Sequence, residues 1–175
     1  MNKTSLYNKH VELKAKILEY AGYKMPISYK NGIQYEYNAI RNNVGVFDVS
    51  HMGEIFVKGS ESHKLLSKVT VNNLDKISLK QAQYTAVCNE NGGIIDDIIL
   101  YKLSQNEFLL IVNGSNRKNI FSWIKKKNNY DCIIEDKTND YSLLALQGPN
   151  SRMILEKILR KNISLAFYHH DKYEF

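Results

Sequence analysis

The residues of this chain best suited to chemistry are Asp96 and Asp97, set inside the run NENGGIIDDIILY at residues 89–101. An ionised carboxylate among isoleucines is costly unless it is paired or hydrogen-bonded, so two acids there need a reason. Asn91-Gly92-Gly93 signals a turn, and the β-branched run after it signals a strand. Strand side chains alternate between faces. Asp97 is therefore expected to share a face with Ile95 and Ile99, and Asp96 with Ile94 and Ile98. Only one of the two acids can point into a given site. The plainer alternative is an edge or bent strand whose acids reach solvent or cap turn amides.

Tyr84 opens one expected strand and Asn113 closes another, and a meander could bring both ends near the acidic strand. Together they offer an aromatic face, an amide with donors and an acceptor, and a carboxylate. That set suits a flat heterocycle with amide-like edges, such as a pterin. Met52 lies in the junction His51-Met52-Gly53, where an adaptable thioether could line a pocket or simply fill a core. Asp48, Ser50 and His51 are the residue types of a catalytic triad, but triads require convergence in space rather than adjacency. No nucleophile elbow surrounds the serine, which argues against a hydrolase. His169 and His170 would point to opposite faces of a strand, so surface histidines are expected there rather than a metal site. Phosphate-loop and dinucleotide glycine patterns are absent.

The elements that must position these residues alternate. Apolar spacing at Val11, Ala15, Ile17 and Leu18 reads as a helix over residues 6–20, with a hairpin over 17–27 as the competing reading. Helices follow at 34–42, at 61–69 with Ser60 as N-cap, at 117–127 with Ser115 as cap, and at 151–160 after Asn150. Strands are expected at 45–50, 54–58, 84–89, 94–103, 107–112, 132–135 and 141–146. Short turns make the three from 84 to 112 an antiparallel meander. Residues 163–175 read as a strand that stops without its partner. The class is α+β, with mainly antiparallel sheets and flanking helices.

At 175 residues the chain can hold one domain or two small ones. Its formal charge of +6 is scattered, and the one cluster, Lys125-Lys126-Lys127, falls at an expected helix end, where it complements the dipole. Nucleic-acid binding is therefore not expected. No run is apolar enough to cross a bilayer, and the first residues lack a secretory apolar block. Cys88 and Cys132 have no metal-ligand spacing and read as thiols of a reducing, cytoplasmic setting.

The segments YKNGIQYEYNAIRNNVGVFDVSHMGEIFVKG, QAQYTAVCNENGGIIDDIILYKL, LLIVNGSNRKNIFSWI and LLALQGPNS resemble the aminomethyltransferases, the T-proteins of the glycine cleavage system. FDVSHMG, NENGGIIDD and ALQGP in that order make the resemblance specific, and it runs over nearly the whole chain. It implies transfer of a methylene group from the aminomethyl-lipoyl arm of H-protein to tetrahydrofolate, with release of ammonia. It implies that Asp97 is the acid at the pterin's reacting nitrogens, in a semi-apolar pocket. Met52, Tyr84 and Asn113 would line the folate pocket, with Asp96 as structural partner on the other face. A hairpin around residues 16–27 is also implied, shortening the first helix. Residues 1–52 and 137–175 would form an incomplete outer folate-binding domain, and 53–136 an inserted α+β domain carrying the acidic strand.

Members of the family are longer. Their Thr-Gly-Tyr-Thr-Gly-Glu segment, folate-tail arginine and final domain are not in this sequence, which therefore resembles a truncated N-terminal half. Such a half is expected to be inactive alone, with a separately encoded C-terminal half as one possible partner. The competing functions are a non-catalytic folate-binding protein of the iron–sulfur assembly type and the folate domain of a dimethylglycine or sarcosine dehydrogenase.

Overall fold

The computed structural model describes residues 1–174. In chain order the elements are β1 (Asn2–Lys3), α1 (Tyr7–Glu12), β2 (Lys16–Tyr20), β3 (Tyr23–Ser28), α2 (Gly32–Asn42), β4 (Gly45–Asp48) and β5 (Gly53–Lys58). Then come α3 (Ser62–Val69), β6 (Ala82–Cys88), β7 (Ile94–Ser104), β8 (Glu107–Val112), α4 (Arg117–Lys127), β9 (Ile133–Asp136), β10 (Leu144–Gln147) and α5 (Ser151–Leu159). They divide into a central unit, Met52–Tyr141 with Leu165–Asp171, and an outer unit built from Met1–His51, Ser142–Ser164 and residues 172–174. Residues 165–171, expected in the outer domain, lie with the central unit instead. The Ala82 amide donates to the Tyr168 carbonyl (2.7 Å) and the His170 amide to that of Lys80 (3.0 Å). The expected strand at 163–175 is thus not formed. His169 makes only an isolated bridge to Gln81, and the positive φ of Tyr168 (57°) interrupts extension; Phe175 lies outside the described residues.

The central unit is a five-stranded antiparallel sheet of order β6-β7-β8-β5-β9. One face carries Ile55, Val57, Ile98, Leu100, Phe108, Leu110 and Val112, packed with Leu65, Leu66 and Val69 of α3 and Ile120 and Ile124 of α4. Alternation explains this: every second residue of β5, β7 and β8 is apolar, and the helices present i, i+3 and i+4 stripes to them. The lysines at 125–127 occupy the last turn of α4, as expected. The expected caps do not act. Ser60 donates to Asp131 (2.7 Å) instead of accepting from an amide of α3, and α4 begins after a short 3₁₀ turn, Gly114–Asn116, with no side-chain cap.

The outer unit contains a β1-β3-β2 sheet and a two-stranded β4–β10 ribbon. The first helix stops at Glu12, where Lys14 takes a left-handed φ of 56°. Residues 16–28 form the hairpin that the family resemblance implied, turning at Ala21 and Gly22, both with positive φ. The periodicity misled because Val11 and Leu18 are exposed and bury no helical face. Gly148 ends the ribbon at a φ of 119°, and a Cβ there would strike the carbonyls of Ile40 and Asn43. Among the described residues no helix is long and apolar enough to cross a membrane.

Candidate functional site

The turn before the acidic strand is built by one side chain. Asn89 Oδ1 accepts from the amides of Asn91 and Gly93, both at 2.9 Å, and the Asn89 amide donates to the Gly93 carbonyl at 2.8 Å. The chain re-enters the sheet with a bulge: Val87 pairs with Asp96 and Cys88 with Ile94, leaving Ile95 as the extra residue. That bulge changes the expected faces. Ile95 packs against the helix-covered core rather than standing beside Asp97. Nor are the acids inside a buried run, since Ile94 is 72% exposed and burial begins only at Ile98.

From Asp97 to Lys102 the register is regular, and it gathers the expected residues into one corner of the sheet. Ala86 pairs with Asp97, Ile98 with Val112 and Val112 with Gly53. Asn113 and Met52, one residue beyond those pairs, therefore continue the row of Asp97 across four strands. The Tyr84 hydroxyl donates to Asp97 Oδ2 at 2.8 Å. Asn113 Nδ2 reaches Asp96 Oδ1 at 2.9 Å and Asp97 Oδ1 and O at 3.3 Å. Asp96 Oδ2 is buried without a partner among the described residues. Asp97 itself is exposed, where a semi-apolar pocket was expected around it. The hydrogen bond to Asp97, and then that carboxylate's charge, raise the Tyr84 phenol above its ordinary pKa. Tyr84 thus stays a donor to Asp97 over the whole neutral range.

Three features here had no local signal in the sequence. A cavity of about 340 Å³ adjoins Tyr84, with Lys76, Gln81, Gln83, Phe167 and Tyr168 in its wall. The Phe167 and Tyr168 rings meet edge-on at 4.5 Å. Glu54, on the strand that follows Met52, pairs with Ile111 and is only 3% exposed. Neither of its carboxylate oxygens has a hydrogen-bond partner among the described residues. Burial pushes Glu54 up to about 7; Arg117 opposes the shift and Asp136 adds to it. Arg117 is committed elsewhere, with its Nε 2.7 Å from Asp136 Oδ2.

The third feature is in the outer unit. Asp48, Ser50 and His51 do not converge as a triad. Asp48 Oδ2 lies 2.8 Å from His10 Nε2, and His10 Nδ1 lies 2.8 Å from the Tyr29 hydroxyl. Burial alone would raise Asp48, but hydrogen bonds from His10 and from Ser50 hold it below the usual aspartate value. His51 stands apart, edge-on to Tyr20 at 5.2 Å, its pKa lowered by burial against the opposing pull of Asp48. A cavity of about 520 Å³ is also in this unit, beside His10 and Tyr29. His169 Nδ1 lies 2.9 Å from the Phe167 carbonyl and His170 Nε2 3.3 Å from that of Lys102, so the two rings have separate partners.

Comparison with known proteins decides the family. The model for the GCVT N-terminal domain matches residues 6–175. The chain belongs to this family. Among curated relatives, an aminomethyltransferase of Halothermothrix orenii is 44% identical over 169 residues, which is 96% of this chain and 47% of the relative. An aminomethyltransferase of Thermosipho melanesiensis is 42% identical over 97% of this chain and 47% of its own length. The crystal structure of glycine cleavage system aminomethyltransferase T from Bartonella henselae superposes with a TM-score of 0.90 at 30% identity. It is covered over 46% of its length by 96% of this GCVT-family chain. The chain thus spans about half the length of the relatives it matches, and it shares their α+β, mainly antiparallel fold.

Proposed function

We propose that this chain forms the folate-facing half of an aminomethyltransferase of glycine catabolism. The one-carbon unit would pass from the aminomethyl-lipoyl arm of H-protein to tetrahydrofolate, with loss of ammonia. The observation that carries this reading is the joined set Tyr84–Asp97–Asn113 at one sheet corner, in a chain of this family. Its donor set fits a pterin: a carboxylate to take N–H groups, an amide that can both donate and accept, and an aromatic ring. Tetrahydrofolate, when bound, supplies the nucleophilic nitrogens that accept the one-carbon unit. Asp97 would orient those nitrogens and hold or take a proton beside them. Asn113 would fix the carboxylate's rotamer, and Met52 would give the ring a soft wall. In this reading the central unit is the inserted domain, the outer unit is the incomplete folate-binding domain, and the setting is cytoplasmic, which suits the two free thiols.

Calorimetric titration of the purified chain with tetrahydrofolate, beside Asp97→Asn, tests the proposal. Binding that weakens about tenfold in the variant is the expected result, because one charge-assisted contact is lost. Equal affinity in the two proteins would remove Asp97 from the site. No binding by a folded chain would overturn the proposal that this half holds a folate site. Turnover with lipoylated H-protein is expected to be absent for the chain alone, since catalysis needs reactants held in tight register.

A further inference from the structure

The first turn of α4 begins with Arg117 and Lys118 and holds no acid, so its own charges oppose the helix dipole. Asp136, at the end of β9, supplies the missing negative charge. Arg117 Nε donates to Asp136 Oδ2 at 2.7 Å, and the two side chains are only 20% and 18% exposed. A charge pair this far out of water is costly to break, because the partner left behind stays desolvated. Asp136 is itself fixed. Its Oδ1 accepts from the hydroxyl (2.7 Å) and the amide (3.2 Å) of Thr138, and the Thr138 hydroxyl oxygen accepts from the Glu54 amide at 3.0 Å. Burial alone would raise Asp136, but hydrogen bonds from Arg117 and Thr138 hold it below the usual aspartate value. The pair is therefore charged on both sides throughout the neutral range.

Arg117 also stands between the two strand ends that carry Met52 and Asn113. Its stem lies over Gly53, the residue after Met52, where a Cβ would stand 2.9 Å from Arg117 Cγ. Arg117 follows directly on the turn Gly114–Asn116, in which the Asn116 amide donates to the Asn113 carbonyl at 3.0 Å. Asn116 Nδ2 donates to the Ile95 carbonyl at 3.0 Å and ties the same turn to the bulge before Asp96. We propose that Arg117, clamped by Asp136, is a positioning residue of the Asp97 site: it sets the Asn113 side chain against Asp96 and Asp97 and keeps Met52 in the same row. That the site takes a pterin rests on the aminomethyltransferase reading; the coupling of Arg117 to Asn113 rests on these contacts. Without the clamp the start of α4 keeps its cations and loses their counter-charge, and the turn shifts. A displacement on the order of an ångström is enough to break the bonds from Asn113 to the two aspartates.

The test takes two readings on the whole chain: hydrogen exchange of the Asn113 side-chain amide by NMR, and calorimetric titration with tetrahydrofolate. Arg117→Met should speed that exchange about tenfold and weaken tetrahydrofolate about tenfold, with the backbone exchange of β7 and β8 unchanged. Arg117→Lys keeps the charge and most of the stem, and should recover part of both losses. Asp136→Asn, which leaves the arginine stem over Gly53, should reproduce the effect of Arg117→Met and serves as the second variant if the first does not fold. The double variant should be no worse than either single one, because the two residues act as one clamp. Asn113 exchange that stays as in the wild type in Asp136→Asn overturns the proposal. So does a general loss of backbone protection with no selective effect at Asn113, which would make the arginine a stabilising residue only. A response at Asn113 in a chain that does not bind tetrahydrofolate would keep the positioning role and sink the pterin reading. Tetrahydrofolate binding through Asp97 that survives all of these substitutions would do the reverse.

Discussion

Glu54→Gln should make the protein more stable at pH 8 by about 3 kcal/mol and leave it nearly unchanged at pH 4.5. The carboxyl of Glu54 is buried in the middle of the sheet with both oxygens unpartnered among the described residues, and its pKa lies near 7 against an ordinary 4.5. The folded state therefore holds this proton more tightly than the unfolded chain does. Below the unfolded value both states are protonated, and Glu54 adds no pH dependence. Between 4.5 and about 7 the unfolded chain ionises first, and stability falls by about 1.4 kcal/mol per pH unit. Above 7 the loss is complete, because the fold then carries an unpaired buried charge. Glutamine has the same shape and never ionises. Urea unfolding of both proteins at pH 4.5, 6 and 8 reads the difference directly. An equal increment at all three values would mean that the carboxyl has found a partner or reaches water.

The opposite sign belongs to His10→Ala, expected to destabilise the outer unit by about 3 kcal/mol. His10 ties α1 to β4 through Asp48 and to the end of β3 through Tyr29. The Asp48 side chain is 1% exposed, and its carboxylate accepts a hydrogen bond from His10 Nε2. Removing the imidazole leaves that charge buried with only its Ser50 contact, which is costlier than never having made the pair. Faster amide exchange in β3 and β4, with β5 to β8 unaffected, is the expected result. His10→Gln, which can still donate to Asp48, should recover part of the loss. A variant as stable as wild type would show that water replaces the histidine freely. Asp48 also gives this unit an acid limit. Its folded-state pKa is depressed, so its contribution is present above the ordinary aspartate value and is lost as pH falls through the lowered one.

These two acids mark where sequence reasoning stopped. Glu54 sits in GEIFVK, a segment that alternates well enough to be read as a strand, yet nothing local says that its polar face is covered. Asp48 has two nearby residues of triad type, and its real partner is a histidine 38 positions away. The bulge at Ile95 is a third case. Alternation counted from Asp97 assigns Ile95 to the wrong face, because one extra residue shifts the pleat and strict periodicity cannot see it. Ser60 and Ser115 carry the right chemistry for helix caps, but Ser60 is drawn to Asp131 and a 3₁₀ turn intervenes after Ser115.

The sequence by itself determined the α+β class, the order of the strands in the 84–112 meander, the turn at Asn91-Gly92-Gly93 and the hairpin carried by the family resemblance. It also placed Asn113 at a strand end near the acidic strand, whereas Tyr84, expected to open its strand, is the third residue of β6. Those features depend on turn chemistry, alternation and motif, which act over a few residues and are written in adjacent side chains. Tertiary structure alone decided that Asp97 is exposed, that Asn113 reaches both aspartates, that Glu54 is buried without a partner, and that His10 holds Asp48. Burial and pairing of that kind are set by strand register and by contacts between residues far apart in the chain, where local propensity carries no information.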